Sequence, residues 1–290
     1  MKTFFSVLLL LIGINLIGQN PKSYELYNSK GKKVSWEKMT KDLQKQDVVF
    51  FGELHNSAIA HWLQLELTKN LYMKVTNKLA LAAEMFEADN QIIIDEYLND
   101  LIANKNFEEE ARLWDNYKTD YKPLLEFAKQ HSIPFIASNI PRRYASLVNK
   151  KGFKGLEELS DEAKKWLPPL PVPFDIELPG YAKMLKMAAH MPGKKGNAEN
   201  LAKAQAIKDA TMAHFIVQNM QPGMLMLHFN GRYHSDNHEG IVWYVKEYAP
   251  EAKIKTISTV LQNDVNEILD KNTNVADYIL VVNEDVTETY

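Results

Sequence analysis

The 290-residue chain contains no cysteine. That excludes disulfides, thiolate metal sites, a cysteine nucleophile and a lipid anchor on an N-terminal cysteine. It has no excess of basic charge either. Lys and Arg number 34 against 37 Asp and Glu, for a net charge of −3 with histidine neutral. A nucleic-acid-binding face needs a basic surplus, so nucleic acid is not an expected partner. Beyond the N-terminus no apolar run approaches the about 20 residues that a membrane helix needs. With 46% hydrophobic and 24% charged residues, the composition is that of a globular protein with a sizeable core.

Residues 1–18 carry Lys2 and then an apolar stretch from Phe4 to about Ile17, in "MKTFFSVLLLLIGINLIG". A charge followed by a short apolar run is the order of a secretory signal peptide. A periplasmic or secreted protein is expected, with mature residues 19–290 as a single α/β domain and no stable membrane span after cleavage. The competing reading is an uncleaved anchor.

Short apolar runs at Val48–Phe51, Leu79–Ala83, Pro134–Ala137, Met224–Leu227, Ile254–Ile257 and Tyr278–Val282 read as buried strands. Helical periodicity fills Ala58–Lys74, Gln91–Ala103, Tyr121–Gln130 and Asn197–Asn219. The alternation predicts a mainly parallel central sheet flanked by helices. Residues 144–220 show no strand pattern and contain the proline cluster "WLPPLPVPFDIELPGY". They read as an inserted helical lobe, with the prolines as an extended connector.

Polar residues recur where the apolar runs stop. Gly52, Glu53 and His55 follow the first run, and Glu84 the second. Ser138, Asn139 and Arg142 follow the third, and His228, Asn230, Gly231 and His234 the fourth. In a parallel sheet these positions share the carboxyl edge, where open α/β sheets bind ligands. Glu53, His55, Glu84 and His234 are therefore the candidate catalytic residues. Glu53, His55 and His234 are also a candidate divalent-metal set, able to leave a position open for water. Without metal, His55 could act as a general base oriented by a glutamate. Each residue has a plainer reading: Glu53 or Asn56 as a helix cap, Glu84 paired with Arg142 or Arg143, His228 as a core histidine.

"FFGELHNSAIAHWLQLEL", "LALAAEMFEADNQIIIDEYL", "LWDNYKTDYKPLLEFAKQHSIPFIASNIPRR", "AQAIKDATMAHFI" and "LMLHFNGRYHSDNHEGI" occur in that order. Together they resemble the ChaN-like haem-binding uptake family, in the grouping that includes Tiki-type proteases and erythromycin esterases. The resemblance implies a parallel-sheet α/β fold and a role in haem or iron acquisition. It implies haem held between two subunits, hence a homodimer, with a tyrosine on the iron and a histidine nearby. Tyr121, Tyr144, Tyr181 and Tyr233 are the candidates for that tyrosine. Arg142 is a further cofactor-binding candidate, and Arg232 could meet a propionate. Met184, Met187 and Met191, beside Tyr181 and His190, could offer a pliable surface to a macrocycle, although such a stripe more often faces a core. The alternative function is a metal-dependent peptidase or esterase-like hydrolase built on the paired Gly-x-x-His motifs.

Overall fold

The computed structural model describes residues 21–75, 78–189 and 198–290. Seven strands form one sheet in the order β1-β7-β6-β2-β5-β3-β4. They are β1 (Tyr24–Asn28), β2 (Val48–Glu53), β3 (Leu79–Glu87), β4 (Phe135–Asn139), β5 (Leu225–Gly231), β6 (Ile254–Gln262) and β7 (Tyr278–Asn283). Every pairing is parallel except that of β1 with β7. The six apolar runs are six of these strands. β1 escaped the sequence reading because "YELYN" is half-exposed on an edge and lacks a continuous apolar run.

Side chains alternate across the sheet, as a two-residue period requires. Val49, Phe51, Leu81, Ala83, Leu227 and Phe229 pack on one face with the helices Ala58–Lys74, Gln91–Leu98 and Lys122–Gln130. Val48, Phe50, Ala80, Ala82, Ile136 and Met226 pack on the other. That second face is covered by Arg142–Lys151, Pro179–Ala189, Ala198–Asn219 and Ile241–Tyr248. The helical segment read as an inserted lobe thus lies directly on the sheet and closes the second core. It contains helices and no strand among its described residues.

Local chemistry sets the boundaries. The helix Ala58–Lys74 begins at Ser57, whose hydroxyl accepts from the Ala60 amide at 3.3 Å. The cap is therefore Ser57, rather than Glu53 or Asn56. Pro123 sits in the first turn of Lys122–Gln130, where a missing amide costs nothing. Along the unpaired edge of β4, the Gln91 side chain donates to the Phe135 carbonyl at 2.9 Å and accepts from the Ala137 amide at 2.7 Å. β3 and β4 lose register between Ala83 and Glu87, a bulge at the carboxyl edge.

Candidate functional site

Glu53 ends β2 and points to the face covered by Ala58–Lys74. It is buried, and its carboxylate is fully engaged. Oε1 accepts from the Tyr121 hydroxyl at 2.7 Å and from His55 Nδ1 at 2.8 Å, while Oε2 accepts from Gln64 Nε2 at 2.5 Å. Burial would lower the His55 pKa, but the Glu53 hydrogen bond and charge leave it raised. The His55 side chain is 36% exposed, and its ring edge meets Trp114 with centroids 5.0 Å apart. Behind it, His61 Nε2 and Asn116 Nδ2 each donate to the His55 carbonyl at 3.0 Å. Asp120 gathers these two donors: Asn116 Nδ2 lies at 2.7 Å and His61 Nε2 at 3.4 Å from its Oδ2.

Glu84 lies in β3 and points to the opposite face. Its Oε2 accepts from the Gly231 amide at 2.7 Å, and its Oε1 lies 3.1 Å from His234 Nε2 as an ion pair. His234 Nδ1 donates to Asp209, which also accepts from the Tyr181 hydroxyl at 2.7 Å. Burial would drive His234 neutral. The two carboxylates on its two nitrogens overcome that and raise its pKa to about 10. Burial likewise works against a charged Glu84, yet His234 and then His55 hold its pKa down to about 2. Glu84, His234 and Asp209 form a buried carboxylate–imidazolium–carboxylate triad.

The two groups meet at Gly231. A Cβ there would sit 2.7 Å from His55 Nε2, 2.8 Å from His55 Cε1 and 3.5 Å from Glu84 Oε2. His55 lies over a residue that must lack a side chain, beside the carboxylate that binds His234. Glu53, His55, Glu84 and His234 are thus neighbours at one edge, although β2, β3 and β5 bring them from distant parts of the chain.

Other expectations are revised. Among the described residues no three His, Asp or Glu side chains are gathered to hold a metal ion. Glu53, His55 and His234 are not assembled as a ligand set. Both Glu53 oxygens accept hydrogen bonds, His55 Nδ1 is spent on Glu53, and both His234 nitrogens lie against carboxylates. Glu84 bonds His234 and the Gly231 amide rather than an arginine. Arg143 pairs with Asp89 at 2.7 Å, and Arg142 is exposed at the start of its helix. His228 is a core histidine. It donates from Nδ1 to Asn230 Oδ1 at 3.0 Å and accepts from the Ser138 hydroxyl at 2.9 Å, and burial takes its pKa down to about 4. Asn139 anchors the β3 bulge, donating to the Glu84 carbonyl at 3.0 Å.

The four tyrosines differ sharply. Tyr121 and Tyr181 are buried and donate to Glu53 and Asp209. Burial first, and then those carboxylates, push both phenols up. Tyr144 is buried too, with the Arg143 guanidinium 4.5 Å from its ring centre. Tyr233 is 78% exposed, on the turn between Gly231 and His234. Of the methionine stripe, Met184 packs on the second core and Met187 is exposed; His190 and Met191 lie outside the described residues.

The sequence reading passed over Asp209, Gln64 and Asp120. Asp209 had a usable signal, being an acid in the alanine-rich run "AQAIKDATMAHF" of a helix buried on both sides of it. His61 and Gln64 sit three apart on one helix, a spacing that puts both on Glu53.

The fold is that of the solved structure of cofacial haem binding to ChaN of Campylobacter jejuni. The TM-score is 0.69 at 19% identity, over 90% of this chain and 97% of that one. The type III effector HopBA1 follows with a TM-score of 0.48 and 14% identity, over 85% and 92% of the two chains. A mutant of erythromycin esterase EreC has a TM-score of 0.46 and 10% identity, over 83% and 77%. No curated protein matches. Residues 39–245 match the family model described as haem-binding uptake, Tiki superfamily, ChaN, and with most of its length inside that match the chain belongs to this family.

Proposed function

We propose that the chain is an exported haem-binding protein of iron acquisition, with haem taken at the carboxyl edge of the sheet and Tyr233 on the iron. The observation that carries this reading is the contrast among the tyrosines. Tyr121 and Tyr181 spend their hydroxyls on buried carboxylates, whereas Tyr233 presents its phenol to solvent at the lip of the Gly231 turn. A phenolate oxygen favours ferric iron, which suits carriage rather than electron transfer. The residues around it fit a flat macrocycle. His55 and Trp114 offer an aromatic wall, while the Arg232 guanidinium is largely buried and paired with Asp236 at 2.6 Å rather than turned out to a propionate. Family membership supports haem as the ligand, as does the haem named for the Campylobacter jejuni ChaN structure. Bound haem would supply a ferric centre with a coordination position for an oxygen donor.

The test is a ferric haem titration followed by absorbance. A saturable, oxygen-ligated, high-spin spectrum is expected, and Tyr233→Phe should abolish it while leaving the fold intact. Adsorption that never saturates overturns haem binding. A spectrum unchanged in Tyr233→Phe overturns this ligand and returns attention to Tyr144. If haem is shared between two copies, adding it should convert monomer to dimer in size-exclusion chromatography. Export rests on residues 1–18, which lie outside the described residues. No described helix is long and apolar enough to cross a membrane. Protein recovered from its native host should begin near Gln19, and Met1 found intact by mass spectrometry would refute this.

A second reading has its own observation. Glu53 fixes Nδ1 of a part-exposed imidazole and leaves Nε2 turned toward Gly231 and Glu84, the arrangement of an oriented general base. A hydrolase of this kind should turn over an activated ester and lose at least 100-fold of its rate in His55→Ala. Equal rates for both proteins would dismiss it.

A further inference from the structure

The segment Glu288–Tyr290 returns to the site from β7. Glu288 bridges Ser57 in antiparallel fashion, and the Thr289 amide donates to the Asn56 carbonyl at 3.0 Å. The Thr289 hydroxyl donates to Asp120 Oδ2 at 2.8 Å. Asp120 is 3% exposed, so this contact reaches into the interior.

Asp120 is the hub behind His55. The two side chains that donate to the His55 carbonyl, Asn116 and His61, both lie against its Oδ2. His61 also turns Nδ1 toward Gln64 Oε1 at 3.3 Å and Glu53 Oε2 at 3.6 Å. One carboxylate therefore orients a donor to the His55 backbone and a ring beside the carboxylate that holds the His55 side chain. Asp120 itself is held from outside by the Thr289 hydroxyl. A carboxylate oxygen that keeps three donors in place fixes their geometry only while its own position is fixed.

We propose that Thr289 is a positioning residue of the site, acting through Asp120, Asn116 and His61 to set the His55 imidazole against Glu53. Glu288–Tyr290 is then a strap across the end of β2, and its docking sets how firmly the part-exposed His55 is held. The inference rests on His55 as the working group of the site and is independent of whether the ligand is haem.

The experiment is a ring-nitrogen NMR titration of His55 in the full chain without ligand. The Glu53 hydrogen bond raises the His55 midpoint. Loosening it should lower the midpoint in Thr289→Val, because burial of the ring then works against its charge with less opposition. The Nδ1–H resonance should lose its shift from the carboxylate bond in the same variant. Thr289→Ser keeps the hydroxyl and should restore both. Thr289→Ala removes the same group without a β-branched side chain and should behave as Thr289→Val; it replaces that variant if the latter does not fold. A His55 midpoint and resonance unchanged in a folded Val or Ala variant overturn the proposal. So does failure of the serine variant to recover them. A haem titration on the same proteins separates the two conclusions, because loss of haem binding with His55 unmoved would count against positioning and not against haem.

Discussion

The two faces of the sheet carry parallel sets of groups held to different degrees. On one, Glu53, His61, Asp120 and Thr289 run carboxylate, imidazole, carboxylate, hydroxyl, with ring nitrogens 3.6 and 3.4 Å from the acids. On the other, Glu84, His234, Asp209 and Tyr181 run in the same order at closer range, with His234 Nε2 3.1 Å from Glu84 and hydrogen bonds from His234 and Tyr181 to Asp209. The tight set is sealed under the helix Ala198–Asn219, where an unpaired charge would be costly. The looser set leaves His55 part-exposed beside it. The tight face anchors the edge, and the looser face supplies the group that can meet a ligand.

The comparison breaks most severely at His234. His234→Ala would strand two buried carboxylates and should cost about 3–5 kcal/mol in urea unfolding. A loss under about 1 kcal/mol would mean the triad is not buried as described. pH sharpens the same point. The Glu84 pKa is lowered from 4.5 to about 2, so its contribution is complete above pH 4.5 and disappears as pH falls toward 2. The His234 pKa is raised from 6.5 to about 10, so its contribution is complete below pH 6.5 and disappears as pH rises toward 10. The stability difference between the natural chain and His234→Gln should therefore peak between pH 4.5 and 6.5, and a difference growing above pH 6.5 would contradict the assignment.

Gly231→Ala comes next. Its Cβ must displace His55, a close-packing cost of about 1–3 kcal/mol, and the His55 NMR resonances should shift with it. His55→Ala should cost less, under about 1 kcal/mol, because the ring is part-exposed and Glu53 keeps Tyr121 and Gln64 as donors. Ligand binding should suffer more than folding. The smallest change in stability is expected for Tyr233→Phe, within about 0.5 kcal/mol, measured on the variant used in the haem titration.

Periodicity and placement explain what was legible beforehand. Parallel strands buried on both faces appear as unbroken apolar runs, so β2 to β7 were readable and the amphipathic edge strand β1 was not. The convergence of Glu53, His55, Glu84 and His234 followed from one rule, that parallel strands end on one edge. Asp209 and Asp120 could not follow from it, because they come from helices whose rotation on the sheet is set by packing. The metal set failed for a related reason. Spacing showed which donors were near, but not that each already held a hydrogen-bond partner.

Gln91 has a consequence for assembly. Its amide presents one donor and one acceptor to the open side of β4, at the positions a neighbouring strand would use. That side chain ends the growth of the sheet. A second copy would have to expel it before adding its own strand there. Gln91→Ala would uncover two main-chain groups on an edge bordered by apolar side chains. The expected outcome is slow self-association of a chain that still folds, visible in light scattering.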